Sequence, residues 1–219
     1  KGRNGFLYKA TAPDQLPVNL IWSDSVNGNF WSARIADTDG DNKKEILGFG
    51  TTGLRILEST GNNNFTQTAN LNYFGIDSTP NSQNVLVEDF DNDGKKDVAF
   101  INVYYETRGS ALPKVGLSIY ENTSDNNYTR VFKDSLNRLL RGDNLSTGDF
   151  NGDGKKDIAL GVVSKDGDLV QYYSLYVYTA DSDNNYTILD AVDIYNYKSY
   201  AETSTKAADI DNDGADEIL

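Results

Sequence analysis

Short apolar runs rich in β-branched and aromatic residues recur along this chain in a fixed order, with polar stretches between them. An acidic stretch leads into a first run: Ile46 to Phe49, Val98 to Ile101, Ile158 to Val163, and Ile218-Leu219. A second run follows at Leu54 to Leu57, Gly116 to Tyr120 and Ser174 to Tyr178. A third begins at Phe65, Tyr128 and Tyr186, each directly after an Asn pair (Asn63-Asn64, Asn126-Asn127, Asn184-Asn185). Short apolar runs bounded by Gly, Asn and Asp read as strands. An Asn pair before an aromatic β-former predicts a hairpin, because Asn accepts positive φ at low cost. Upstream, Phe6 to Lys9 and Val18 to Trp22 read as the last two strands of a preceding unit.

Each acidic stretch is a nine-residue loop with oxygen-bearing side chains at positions one, three, five and nine. These are Asp37, Asp39, Asp41 and Glu45; Asp89, Asp91, Asp93 and Asp97; Asp149, Asn151, Asp153 and Asp157; and Asp209, Asp211, Asp213 and Glu217. Carboxylates this crowded repel one another, and a hard divalent cation with six to eight oxygen ligands relieves the repulsion. Position seven (Lys43, Lys95, Lys155, Ala215) would add a backbone carbonyl. Position six needs a residue that tolerates a left-handed backbone, and holds Gly94, Gly154 and Gly214, with Asn42 in the first copy. The pattern predicts four calcium loops. An EF-hand would continue to a Glu at position twelve and enter a helix; here position nine runs straight into a strand.

The loops recur at intervals of 52, 60 and 60 residues. A repeat of several strands on this scale is the signature of a β-propeller blade. The acidic spacing, the apolar second position (Phe90, Phe150, Ile210) and the following apolar run resemble the FG-GAP/VCBS repeat family, known from the propeller of integrin α subunits. The resemblance implies an all-β fold, a β-propeller of four-stranded antiparallel blades. One domain is expected over 1–219: half a blade at 1–30, blades at 31–80, 81–140 and 141–200, and the start of another at 201–219. The two half blades would pair to close a four-bladed ring, or the segment belongs to a larger propeller, since the family usually closes with seven blades.

Composition narrows the setting. The net charge is −13, and 15 of the 33 acidic residues occupy loop ligand positions, so the acidity is mostly a metal signature that four divalent cations would largely offset. Nucleic acid is not expected as a partner, because phosphate binding wants clustered Lys and Arg. The paired Lys of three loops (Lys43-Lys44, Lys95-Lys96, Lys155-Lys156) read as solvated neutralisers of the carboxylates. The chain has no Cys, His or Met. The missing Met suggests a processed or partial product, and no apolar run approaches the roughly 18 residues of a membrane span. Loops of this kind suit millimolar calcium, which points outside the cell.

Antiparallel order puts the acidic loops and the Asn-Asn turns on one face. Links between blades and the loops joining second to third strands fall on the other. That second face is where integrin-like propellers bind ligands, and it would carry Trp22 to Trp31, Tyr104 to Arg108, Lys165 to Asp168 and Tyr195 to Tyr200. Aromatics among polar groups suit an extracellular protein or glycan ligand, although most would pack between blades. Asn64, Asn122, Asn127, Asn144 and Asn185 begin glycosylation sequons. Arg141-Gly142-Asp143 matches a short motif many integrins recognise, and is expected in an inter-blade link. Without His or Cys the usual nucleophile–base pairs are unavailable, so an enzyme is not expected. The readings left open are a calcium-stabilised adhesion or binding module, a lectin or polysaccharide lyase-like fragment, and a fibre subunit whose incomplete blade a neighbour completes.

Overall fold

The computed structural model describes residues 5–24, 31–80, 85–108, 114–136, 141–166, 170–196 and 205–219. All of its regular structure is β, in a series of antiparallel sheets that are propeller blades. β1 (Gly5–Lys9) pairs with β2 (Asn19–Asp24). β3 (Trp31–Ala36), β4 (Glu45–Phe49), β5 (Gly53–Gly61) and β6 (Asn64–Asn72) follow as a four-stranded sheet in chain order. In the next blade β7 (Ile76–Pro80) and β8 (Leu86–Glu88) both pair with β9 (Asp97–Tyr105), followed by β10 (Lys114–Ser124) and β11 (Asn127–Leu136). β12 (Arg141–Gly148), β13 (Asp157–Asp166), β14 (Val170–Ser182) and β15 (Asn185–Asn196) form the third complete sheet, and β16 (Ala207–Ala208) pairs with β17 (Glu217–Ile218). The second blade therefore starts at Ile76, before the boundary at residue 81 that the repeat suggested.

In each complete sheet the third and fourth strands slip register twice, once mid-strand (between Ile56 and Leu57, Ile119 and Tyr120, and Val177 and Tyr178) and once beside the turn. β1 and β2 pair antiparallel with one slip, between Leu7 and Tyr8.

Blades pack face to face, and the cores lie between them. Leu47, Phe49, Leu54 and Ile56 of one sheet meet Val87, Val98, Phe100 and Tyr120 of the next. On the other side of that sheet Ala99, Ile101, Leu117 and Ile119 meet Leu145, Ile158, Leu160 and Tyr178 of the third. Because β4 and β9 sit between two neighbours, both their faces are buried, which is why they read as continuous rather than alternating apolar runs. The first hairpin docks through Leu7 and Trp22 onto Ile46, Leu57 and Phe65, and a buried Asp24–Arg55 ion pair ties it down. None of the described elements is a helix long and apolar enough to cross a membrane.

Candidate metal centre

All four acidic loops join the first and second strands of a blade. Position one directly follows β3, β8, β12 or β16, and position nine is the first residue of β4, β9, β13 or β17. The ladder closes across the loop, with Ala36 opposite Glu45, Glu88 opposite Asp97, Gly148 opposite Asp157 and Ala208 opposite Glu217.

One hydrogen-bond pattern shapes every copy. The position-one carboxylate accepts the N–H of position six: Asn42 to Asp37, Gly94 to Asp89, Gly154 to Asp149 and Gly214 to Asp209, at 2.8–3.2 Å. Position three accepts the N–H of position five, onto Asp39, Asp91, Asn151 and Asp211. Position five accepts the N–H of position seven, onto Asp41, Asp93, Asp153 and Asp213. Position six is left-handed in every copy, Asn42 at φ 69° doing what Gly94, Gly154 and Gly214 do. Position four is left-handed too (Gly40, Asn92, Gly152, Asn212), a requirement the sequence reading missed although only Gly and Asn occur there.

Position nine tests whether the residues suit a cation. One carboxylate oxygen accepts the position-two N–H, from Thr38 to Glu45, Phe90 to Asp97, Phe150 to Asp157 and Ile210 to Glu217, at 2.7–3.1 Å. The second oxygen of Glu45, Asp97 and Asp157 is buried with no hydrogen-bond partner among the described residues. A buried anionic oxygen without a donor is costly. Burial pushes the Asp97 carboxyl up to about 7, and it raises Glu45 and Asp157 in the same direction. Carboxylate oxygens converge to within 4.8 Å of one another in Asp37, Asp39 and Asp41, in Asp89, Asp91 and Asp97, and in Asp209, Asp211 and Glu217. All-oxygen donors with an unpaired oxygen among them fit a hard divalent cation.

The next blade reaches into the first two loops. Asn126 N–H donates to Asp39 Oδ2 (3.1 Å) and Asn184 N–H to Asp91 Oδ2 (2.7 Å). Lys43 bridges Asp41 and Glu58, and Lys95 bridges Asp93 and Glu121. Lys43 and Lys95 thus neutralise loop carboxylates while remaining partly exposed to solvent. The loops and Asn-Asn turns share a face, as antiparallel order requires. Glu58, Glu121, Tyr128 and Tyr186 went unrecognised as loop partners in the sequence, because a repeated turn reports a hairpin and not what the hairpin touches. Loop three differs: Asn151 Oδ1 keeps the acceptor role at position three, and its amide points to Thr179 Oγ1 (3.4 Å) where the other copies have Glu58 and Glu121. Asp216 of loop four accepts the Asp149 N–H (2.7 Å) and pairs with Lys156.

The sequons separate by accessibility. Asn64, Asn127 and Asn185 are exposed. Asn122 is buried and its amide donates to the Ser124 and Asn127 carbonyls, so this fold has no room for a glycan there. Asn144 lies in β12, its side chain outside the described residues. Arg141, Gly142 and Asp143 also belong to β12, not to a link: Arg141 and Gly142 pair with Val163 and Val162, because a bulge before Asn144 lets the ladder extend past it. Of the stretches expected on the opposite face, residues 25–30, 167–168 and 197–200 lie outside the described residues; Tyr104 and Tyr105 end β9, with Tyr104 buried against Phe74, and Glu106 to Arg108 follow them.

Residues 37–100, spanning the first two acidic loops and the sheet between them, match the model of the FG-GAP-like repeat. This part of the chain is an FG-GAP-like repeat, the module from which propellers of this kind are built. No curated protein is similar enough to the chain to be matched.

Proposed function

We propose that the chain is a calcium-stabilised β-propeller segment acting outside the cell as a binding or adhesion module. One observation carries the metal: in three of the four loops the position-nine carboxylate buries an oxygen that has no hydrogen-bond partner among the described residues. Calcium would be held by positions one, three, five and nine, with the carbonyl of position seven (Lys43, Lys95, Lys155, Ala215). When bound it supplies charge neutralisation and ties the first two strands of a blade together. Its role is structural, and the ligand, an extracellular protein or a glycan, would be taken by loops of the opposite face. In support, every cluster of three carboxylates among the described residues lies in or against these loops.

Calorimetric titration with calcium tests the reading. Four sites are expected, with loop three weaker than loops one and two by at least about tenfold, because it lacks an acid at position three and affinity follows ligand charge. Asn151→Asp should strengthen that site by about tenfold. Four indistinguishable wild-type sites would refute the charge argument, and no heat at any calcium concentration would refute the metal assignment. For the ligand, the calcium-loaded protein is applied to a glycan array and assayed for polysaccharide depolymerisation. Binding without cleavage supports a recognition module, and cleavage would replace that reading with an enzyme.

A further inference from the structure

The turn that follows a loop in space is not the turn that follows it in sequence. Loop one is met by the turn of the second blade, 87 residues on, and loop two by the turn of the third blade, 93 residues on. In both, the same three contacts recur. A turn Asn offers its backbone N–H to the position-three carboxylate. Its side-chain amide donates to the third-strand Glu, from Asn126 to Glu58 (2.7 Å) and from Asn184 to Glu121 (3.1 Å). A turn Tyr reaches position nine. Tyr186 donates directly to Asp97 Oδ2 (3.1 Å), whereas Tyr128 works through Thr38. Thr38 Oγ1 spends its proton on Glu45 Oε2 (2.8 Å), so the Tyr128 hydroxyl donates to Thr38 at 2.6 Å.

The first blade supplies the contrast. Its turn also carries an aromatic at this point, Phe65, which packs on Trp22 of the preceding hairpin, 5.4 Å between ring centroids. Among the described residues no acidic loop lies beside Phe65, and there the residue has no hydroxyl. The acid of the turn follows the same rule: Asp125 and Asp183 in the second and third blades, Asn62 in the first. Packing between blades asks for an aromatic ring in all three turns. The hydroxyl appears where a loop stands ready to receive it.

We propose that the Asn-Asn-Tyr turn of each following blade completes the cation loop of the blade before it, so that calcium binding and blade docking are one coupled equilibrium. Tyr186, Asn184, Tyr128 and Asn126 are positioning residues in this scheme. They keep the hydrogen bonds of the position-nine carboxylate on one oxygen, leaving Asp97 Oδ1 and Glu45 Oε1 without a donor, and they fix the orientation of the position-three carboxylate, whose two oxygens each accept a backbone N–H. Linkage is reciprocal: whatever docking contributes to calcium affinity, calcium returns to docking. This rests on the calcium reading above and adds to it that the sites are shared between blades.

Tyr186→Phe is the test, because it removes the hydroxyl and leaves the ring packed on Phe132, 5.4 Å away. Hydrogen-bond partners of metal ligands typically contribute about 10- to 100-fold in affinity. One of the four calorimetric sites should weaken by about that factor, and Tyr128→Phe should do the same to a different site through Thr38. Each of these substitutions should leave the other three sites unchanged. A purely structural hydroxyl would lower the melting temperature equally with calcium and with chelator; coupling requires the larger drop in calcium. Unchanged isotherms in both Tyr variants, with equal losses in the two conditions, overturn the proposal while the calcium reading stands. A wild-type protein that binds no calcium overturns both.

Discussion

Removing calcium should lower the melting temperature of this protein by roughly 10–20 °C, and restoring calcium, but not magnesium, should bring it back. Sites of this charge in extracellular modules bind with Kd near 10⁻⁴ M, which at millimolar calcium contributes about 1.4 kcal/mol each by mass action. Three such sites and a tenfold weaker loop three, which adds about 0.4 kcal/mol, give about 5 kcal/mol, and a domain of this length shifts about 2–4 °C per kcal/mol. The loss should be cooperative. Loops one and two contact the turns of the following blades, and loops three and four are joined by Asp216, so opening one loop exposes its neighbour. Magnesium should fail because it demands six ligands at short, near-ideal octahedral spacing and gives up its water reluctantly. Thermal unfolding by circular dichroism in calcium, in EGTA, and in EGTA with excess magnesium measures this. An unchanged midpoint in EGTA would mean the loops contribute nothing to stability through an ion.

What the sequence conveyed about this fold lies mostly in residues with a single structural use. The left-handed backbone at position six was legible because Gly94, Gly154 and Gly214 leave few alternatives, and Asn42 duly adopts it. The strand order was legible because the acidic loop and the Asn pair punctuate each repeat at fixed points. The interior of β4 was legible only as apolar: which of Ile46 and Leu47 faces which blade depends on packing partners far along the chain. The strand placement of Arg141 to Asp143 was hidden because Arg-Gly-Asp looks like a turn and only the Gly142–Asn144 register shift keeps it in the ladder. The inter-blade bonds of Tyr128 and Tyr186 required knowing that the turn of one blade lies over the loop of the one before, a fact of topology and not of local propensity.

Asp97→Asn should change sign with the ion. In calcium the variant loses one anionic ligand and turns an amide toward the site, so loop two should cease to bind and stability should fall by at least the 1.4 kcal/mol or so that one site contributes. In chelator the same change should stabilise. The amide oxygen can take the place of Oδ2, keeping the Phe90 N–H and the Tyr186 hydroxyl as donors, while the amide nitrogen replaces the unpartnered Oδ1 and gains Asp89 and Asp91 as acceptors. The charge removed is an unwelcome one: burial first, then the nearby Asp91 and Glu121, push the Asp97 carboxyl up to about 7, against hydrogen bonds from Phe90 and Tyr186 that pull it down. A shift from the ordinary 3.8 to about 7 corresponds to up to about 4 kcal/mol at high pH, an upper bound because a metal-free loop can relax. The sign over pH follows. Between about pH 4 and 7 the folded state holds a proton that the unfolded chain has released, so chelated wild type should lose stability as pH rises through that window and level off above it. Glu45 and Asp157 shift in the same direction and add to the slope. Calcium should flatten the slope by keeping these carboxylates ionised, and Asp97→Asn in chelator should remove the Asp97 share. Urea midpoints of both proteins at pH 5 and pH 8, with calcium and with EGTA, give the comparison. If the variant proved less stable than wild type in EGTA at pH 8, ionised Asp97 would be at ease in the empty loop, and the case for a cation drawn from its unpaired oxygen would fall.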